Sequence, residues 1–170
     1  MHNQLKRSIK RPVSPVTLWA DKMKHNIIKS IQEILLYAIW FPTLIFLSHV
    51  IVWFMKVYEV WPPIDIPMHF LGGVSITYFF WKSISICGSN SLSLQLQTRV
   101  KVVLALSLTG STTVLWEFAE YIADHTMCSG IQLGLEDTLL DMLLGILGAI
   151  FYIGIVVWKR LQYGHRCKCS

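Results

Sequence analysis

Long apolar runs dominate the chain, and most polar residues lie in the short segments between them. Crossing the hydrocarbon core of a membrane takes about 20 mostly apolar residues in a helix. Four windows meet this length, at residues 34–54, 66–86, 102–122 and 139–158. The pattern predicts an all-α fold, a polytopic membrane protein whose residues 33–158 form a four-transmembrane-helix bundle.

The segments outside this domain are basic. Residues 1–32 are predicted to be a cytoplasmic N-terminal segment, and residues 159–170 a cytoplasmic tail. Apolar residues recur at four-residue steps among the N-terminal lysines, at Trp19, Met23, Ile27 and Ile31. This spacing predicts an N-terminal amphipathic helix on the inner leaflet, with a solvated linker as the alternative. In the tail, His165, Cys167 and Cys169 lack the paired spacing of a zinc site, which favours a solvated basic tail.

Positive charge is distributed on one side of the predicted bundle. Fourteen of the fifteen Lys and Arg residues lie in the N-terminal segment, in or next to the connection between the second and third windows, or in the tail, and Lys56 is the exception. Cytoplasmic flanks retain positive charge during insertion. We therefore expect a membrane protein with both termini cytoplasmic and membrane lipids around it. Nucleic acid is not an expected partner, because the basic residues flank helices and form no aromatic-laced patch.

Negative charge lies mainly on the opposite side. Only Asp21 and Glu33, of ten carboxylates, fall on the predicted cytoplasmic side. The other eight lie in outer loops or outer helix ends and are Glu59, Asp65, Glu117, Glu120, Asp124, Glu136, Asp137 and Asp141. Acidic residues contribute little to membrane orientation. Their concentration at one face therefore calls for another explanation.

Helical spacing places these polar residues on three faces that continue into small or hydroxyl residues. The faces are Asp65, His69, Gly72 and Gly73; Thr113, Glu117, Glu120 and Asp124; and Asp137, Asp141, Gly145 and Gly148. Residues three and four apart share a helix face. Small residues mark close helix contact in lipid. We expect the three faces to point at one another inside the bundle.

Several carboxylates at one level of a bundle cannot all stay ionised without shared protons or a bound cation. Carboxylates and histidine projecting inward from several helices are the ligands that metal-binding bundles use. The candidate catalytic residues are Asp65, His69, Glu117, Glu120 and Asp141, and Asp124 and Asp137 join the same five as candidate metal ligands. The expected cofactor is a divalent cation, with magnesium, manganese, calcium and zinc all open.

Several of these residues also have purely structural interpretations. Asp65 is equally explained as a helix cap, and Asp137 as an acid favoured by the positive end of a helix dipole. The alternative for Glu117 is a buried hydrogen bond, although ionisable residues inside a membrane are functional candidates by default. His49 has no acidic neighbour in sequence, so we expect a packed or hydrogen-bonded side chain there. Trp116 is expected to be an interfacial anchor.

Three short motifs resemble a known family. They are Asp65-Ile-Pro-Met-His69-Phe-Leu-Gly-Gly, Trp116-Glu-Phe-Ala-Glu120, and Asp137-Thr-Leu-Leu-Asp141-Met followed by Gly145 and Gly148. Over about residues 60–155 the pattern resembles the YjdF-like family of bacterial inner-membrane proteins. It is more remotely similar to the VanZ-like family, which is linked to glycopeptide resistance. This chain has Glu120 and Asp141 where the VanZ-like pattern has Gln and Asn.

Three functions are compatible with the sequence. The first is an outward-facing Asp/Glu/His site, cation-binding or proton-sharing, that acts on or binds an envelope component such as a lipid-linked or cell-wall precursor. The second is a transporter of protons or a divalent cation, which a helix broken near mid-membrane would favour, and only Pro42 suggests such a break. The third is a non-catalytic scaffold. Whether the protein is an enzyme, and its oligomeric state, stay open.

Overall fold

The computed structural model describes residues 15–90, 96–127 and 134–166, and these residues contain helices and no strands. The helices are α1 (Pro15–Tyr37), α2 (Trp40–Phe54), α3 (Val57–Val60), a 3₁₀ turn (Pro62–Ile64), α4 (Asp65–Asn90), α5 (Thr98–Met127) and α6 (Leu135–Arg166). Residues 1–14 and the tail cysteines lie outside the described part of the chain. The solvated basic tail and the start of the N-terminal segment therefore stay predictions.

The last three predicted spans are single long helices. Each of α4, α5 and α6 is long and apolar enough to cross a membrane. The first predicted span is instead a pair of helices, α1 and α2, bent by 47° at a short break. The described residues thus provide three spans, or four if the bent pair counts as one. The prediction of an all-α membrane bundle is confirmed.

The helix of the first predicted span, residues 34–54, is broken, and Pro42 was the residue that suggested a break. The helix stops at Tyr37 and restarts at Trp40. Pro42 has no amide hydrogen, so the bond that a continuous helix would make to the carbonyl of Ala38 cannot form. At the same break, the hydroxyl of Tyr78 on α4 donates to the carbonyl of Tyr37, and the indole of Trp40 donates to Tyr78 at 3.2 Å. The break is therefore held by a neighbouring helix.

The α1 segment is helical throughout, as the spacing of its apolar residues predicted. Those residues form an exposed stripe made of Trp19, Met23, Ile27 and Ile31. The helix also packs against α4 near its C-terminal end, where Glu33 accepts a hydrogen bond from Asn90 at 2.8 Å. One helix thus combines an exposed amphipathic part with a part that joins the bundle.

Glycines set the closest contacts within the bundle. A Cβ at Gly73 would collide with the backbone of Gly145, and one at Gly148 would collide with the carbonyl of Phe70. The prediction that small residues mark close contact between α4 and α6 is confirmed at these positions. It is wrong for Gly72, where an added Cβ would meet nothing within 4 Å.

Charge is segregated between the two ends of the bundle. At one end Arg160 donates to Thr98 at 3.0 Å and Lys101 donates to Ser85 at 3.2 Å. Just inside this end, Trp81, Ala105 and Ile153 form a buried apolar cluster. The carboxylates that begin α4, end α5 and begin α6 lie at the opposite end.

Candidate functional site

His69 is the centre of the carboxylate cluster. Its Nε2 atom lies 3.2 Å from Asp65 Oδ1 and 3.8 Å from Asp141 Oδ1, and its Nδ1 atom lies 3.8 Å from Glu117 Oε1. The side chains of His69, Glu117 and Asp141 are only 9%, 7% and 4% exposed. One imidazole therefore contacts three carboxylates, one each from α4, α5 and α6.

The helices bring these groups together for different local reasons. Asp65 and His69 are one turn apart on α4, which alone accounts for their contact. Asp65 has helical backbone angles, φ −61° and ψ −43°, and follows a 3₁₀ turn. An N-cap residue has non-helical angles, so the capping interpretation of Asp65 is not supported. Asp141 reaches the same imidazole because the glycine contacts hold α6 close to α4.

A second layer of polar contacts lies beside this centre. Glu120 accepts a hydrogen bond from the indole of Trp116 at 2.6 Å, and His49 Nε2 lies 4.0 Å from Glu120 Oε1. The other ring nitrogen of His49 is 2.8 Å from the hydroxyl of Tyr58. The expectation of a hydrogen-bonded His49 is confirmed, and its ring also packs edge-on against Trp116 at 5.1 Å.

Tyr58 lies outside the spanning segments, in the short helix α3, and its environment keeps it protonated. Burial raises the pKa of the Tyr58 hydroxyl well above its ordinary value, and the negative charges of Asp65, Glu120 and Asp141 raise it further. A protonated phenol can donate to His49 Nδ1. In that arrangement the proton of a neutral His49 is on Nε2, the atom that faces Glu120.

Two overlapping sets of donor atoms lie close enough together to hold a metal ion. Asp65, His69 and Asp141 form one set, His69, Glu117 and Glu120 form the other, and the donor atoms within each lie within 4.8 Å of one another. Carboxylate oxygens with one imidazole suit hard or borderline divalent cations, manganese and zinc among them. The same arrangement can hold protons shared between carboxylates.

Two predicted ligands are not part of these sets. Among the residues that the structure describes, Asp124 and Asp137 belong to neither group of donor atoms. Asp124 lies one turn beyond Glu120 on α5, and Asp137 lies one turn before Asp141 on α6. Asp137 lines the outer vestibule described next. The structure thus brings together five of the seven predicted ligands.

Two cavities meet at the cluster. The outer vestibule has a volume of about 750 Å³ and is lined by Asp65, Glu120, Asp141, Tyr58 and other residues of the acidic end. The deeper cavity has a volume of about 290 Å³ and extends between α2, α4 and α5. His49 lines both. The cluster therefore lies between an almost wholly apolar space and one with more polar lining.

Sequence reasoning missed two residues of this site. Trp116 was expected to be an interfacial anchor, but its indole is directed at Glu120. Tyr58 was not singled out, and its contact with His49 forms across the turn between α2 and α3. The spacing Trp116 to Glu120, one helical turn, was the available signal for the first. Nothing in the local pattern identified the second.

Comparisons with known proteins agree with a membrane bundle. A family model described as "Predicted membrane protein (DUF2238)" matches residues 16–161. The YjdF-like proteins are in that family. An uncharacterized protein of Thermotoga maritima is 33% identical over 121 residues, which cover 68% of this chain and 59% of the relative. The match thus spans less than two thirds of that relative's length. No solved structure matches the chain.

Proposed function

This chain belongs to the DUF2238 family of predicted membrane proteins, and we propose that its carboxylate–histidine cluster is an outward-facing functional site in a bacterial inner membrane. The cluster binds a cation or shares protons, and it acts on or binds an envelope component such as a lipid-linked or cell-wall precursor. Both termini are cytoplasmic in this proposal.

The observation that carries the proposal is the charge balance around His69. One imidazole lies within 4 Å of three carboxylates in a largely buried pocket. The sequence has no Lys or Arg between residues 102 and 158. Within the described residues, the ion-pair partners of Glu117, Glu120 and Asp141 are histidines. Charge this dense in a low-dielectric site needs protons or a further cation.

The segregation of charge supports the outward orientation. Basic residues such as Lys101 and Arg160 make their contacts at the end of the bundle opposite to the cluster. Cytoplasmic ends of membrane proteins carry the excess of Lys and Arg. The vestibule would then open toward the outside of the inner membrane, where envelope components are assembled.

The chemistry open to such a site follows from its groups. A cation held by the carboxylates could lower the pKa of a bound water and make it a nucleophile. A carboxylate or His69 would then accept the proton of that water. The hydrogen bond between Tyr58 and His49 would fix the position of the proton on the His49 ring. Without a metal, the same groups could still bind a ligand through shared protons.

Transport of a proton or divalent cation is the second candidate, and the break between α1 and α2 favours it. Interrupted helices at membrane depth are frequent in transporters. The hydroxyls of Thr77 and Thr109, 3.0 Å apart, also extend polar groups below the cluster. The buried cluster of Trp81, Ala105 and Ile153 then closes the path toward the basic end. A site that opens to one side of the membrane is therefore better supported than a transport path across it.

Elemental analysis of detergent-purified protein tests the proposal. The wild type is compared with Glu117→Ala and with Glu136→Ala, a matched control because Glu136 is exposed at the same end of the bundle. We expect the wild type and the control to contain a divalent metal, and we expect the metal content to be lower in Glu117→Ala. Equal trace metal in all three proteins contradicts the metal-bound form. If the site shares protons instead, the infrared spectrum should contain a band of protonated carboxyl groups that weakens in Glu117→Gln. Absence of that band would overturn the proposal.

A further inference from the structure

The deeper cavity is apolar and lies directly beneath the charged cluster. Its walls come from α2, α4 and α5 and include Phe46, Met68, Ile76 and Thr112. Its upper end is formed by His49, His69 and Trp116. From the level of His69 to that of Ile76 it extends over seven residues of α4, or about 10 Å. A space of this length and character is suited to a hydrocarbon chain.

The cavity exists because α2 packs mainly against α4. Aromatic rings bridge the gap to α5, with the ring of Phe46 6.1 Å from that of Trp116. The volume of about 290 Å³ approaches the lower end of the range for ligand pockets, about 300 Å³. The space is partly open at the surface of the bundle and is not an enclosed void.

Glycine at position 72 keeps the cavity open. Gly73, its neighbour, is required by the close approach of Gly145, but a side chain at Gly72 would have free space on the cavity side. Glycine in a helix interior costs about 1 kcal/mol relative to alanine. Close helix packing therefore does not account for Gly72, which borders the cavity instead.

The vestibule above the cavity is strongly acidic. It is lined by five carboxylates, Glu59, Asp65, Glu120, Asp137 and Asp141, and by a single lysine, Lys56. Lys56 is already paired with Glu59 at 3.1 Å. A positively charged head group is electrostatically complementary to this lining, and an anionic one is repelled unless a cation bridges it.

We propose that the two cavities together bind one membrane amphiphile, with its hydrocarbon chain beneath His69 and an ammonium head group among the vestibule carboxylates. The proposal rests on the proposed function in one respect, which is that the carboxylates require a cation. The cation is here the ammonium group of an organic ligand. Asp65, Glu120 and Asp141 are the head-group contacts, and Gly72 is the position that admits the chain.

Amphiphiles of one chain length separate the roles of head group and chain. Saturable binding of radiolabelled dodecylamine to detergent-purified protein is measured, with dodecanol and dodecyl phosphate as competitors. Gly72→Leu fills the cavity, and Gly154→Leu is the matched control, since an added Cβ at Gly154 also meets nothing within 4 Å and Gly154 is not a cavity residue. We expect dodecylamine to bind the wild type and the control equally, and Gly72→Leu to bind at least ten-fold more weakly.

Three results would overturn the proposal. The first is equal binding of dodecylamine by all three proteins, and the second is competition by dodecanol as strong as that by unlabelled dodecylamine. The third is tighter binding of dodecyl phosphate than of dodecylamine, whether or not the binding of dodecyl phosphate requires manganese. Metal content measured on the same samples separates this failure from that of the proposed function. A wild type that holds metal but not dodecylamine contradicts the amphiphile alone, whereas one that holds neither metal nor shared protons nor dodecylamine contradicts both.

Discussion

Replacing His69 with glutamine removes the one basic group that contacts carboxylates on all three helices. His69→Gln keeps a polar side chain of similar size, so the main loss is the basic imidazole, with little change in packing. The wild-type imidazole lies 3.2 Å from Asp65 and 3.8 Å from both Asp141 and Glu117. In the variant these carboxylates face one another without the imidazole between them.

The size of the effect follows from the spacing of the carboxylates. Donor oxygens of Asp65 and Asp141 lie within 4.8 Å of each other, as do those of Glu117 and Glu120. Two unit charges at that distance repel by about 3 kcal/mol at an effective dielectric constant of about 20. For a protein of this size, 3 kcal/mol corresponds to a fall of roughly 6–12 °C in melting temperature.

The dependence on pH separates charge from packing. Thermal unfolding in detergent is followed at pH 8 and pH 5 for the wild type, His69→Gln and His125→Gln, since His125 is an exposed histidine at the same end. We expect His69→Gln to lose its 6–12 °C at pH 8 and much less at pH 5, where protonation removes the repulsion. An equal loss at both pH values, or no loss at pH 8, would refute the electrostatic account.

Three further predictions concern packing and hydrogen bonds. Gly73→Ala should destabilise the protein by about 1–3 kcal/mol because its Cβ meets the α6 backbone, whereas Gly154→Ala should be neutral or stabilising, as parallel melting curves would show. Thr109→Val should lower the unfolding free energy by about 1 kcal/mol through loss of a buried 3.0 Å hydrogen bond, measurable by denaturant titration in micelles. Tyr58→Phe should cost about 0.5–1.5 kcal/mol and change the nitrogen-15 chemical shifts of the His49 ring, and unchanged shifts would contradict this contact.

Much of the fold was predictable because a membrane imposes a simple length and hydropathy requirement. The three predicted windows that became α4, α5 and α6 show this, although each helix is longer than its window. Residues such as Glu117 and Asp141 were found from spacing alone, since one turn of helix determines which side chains share a face. The contact of Gly73 with Gly145 then followed from the rule for small residues.

Other features depend on partners distant in sequence. Pro42 suggested a break in the first span, but the hydrogen bond that holds the break comes from Tyr78, which lies 41 residues from Tyr37. Tyr58 and His49 meet because of a turn whose geometry the hydropathy pattern does not encode. Gly72 looks like Gly73 in the sequence, and only the three-dimensional packing distinguishes a cavity wall from a helix contact.

The central claim is that side chains from separate helices meet in one pocket, and a double-mutant cycle tests it most directly. The free energies of unfolding of wild type, His69→Gln, Asp141→Asn and the double variant are compared at pH 8. Because the two side chains are 3.8 Å apart and buried, we predict a coupling energy of at least about 1 kcal/mol. His69→Gln combined with Glu136→Gln should be additive within about 0.5 kcal/mol. Additivity for the pair His69 and Asp141 would contradict the account.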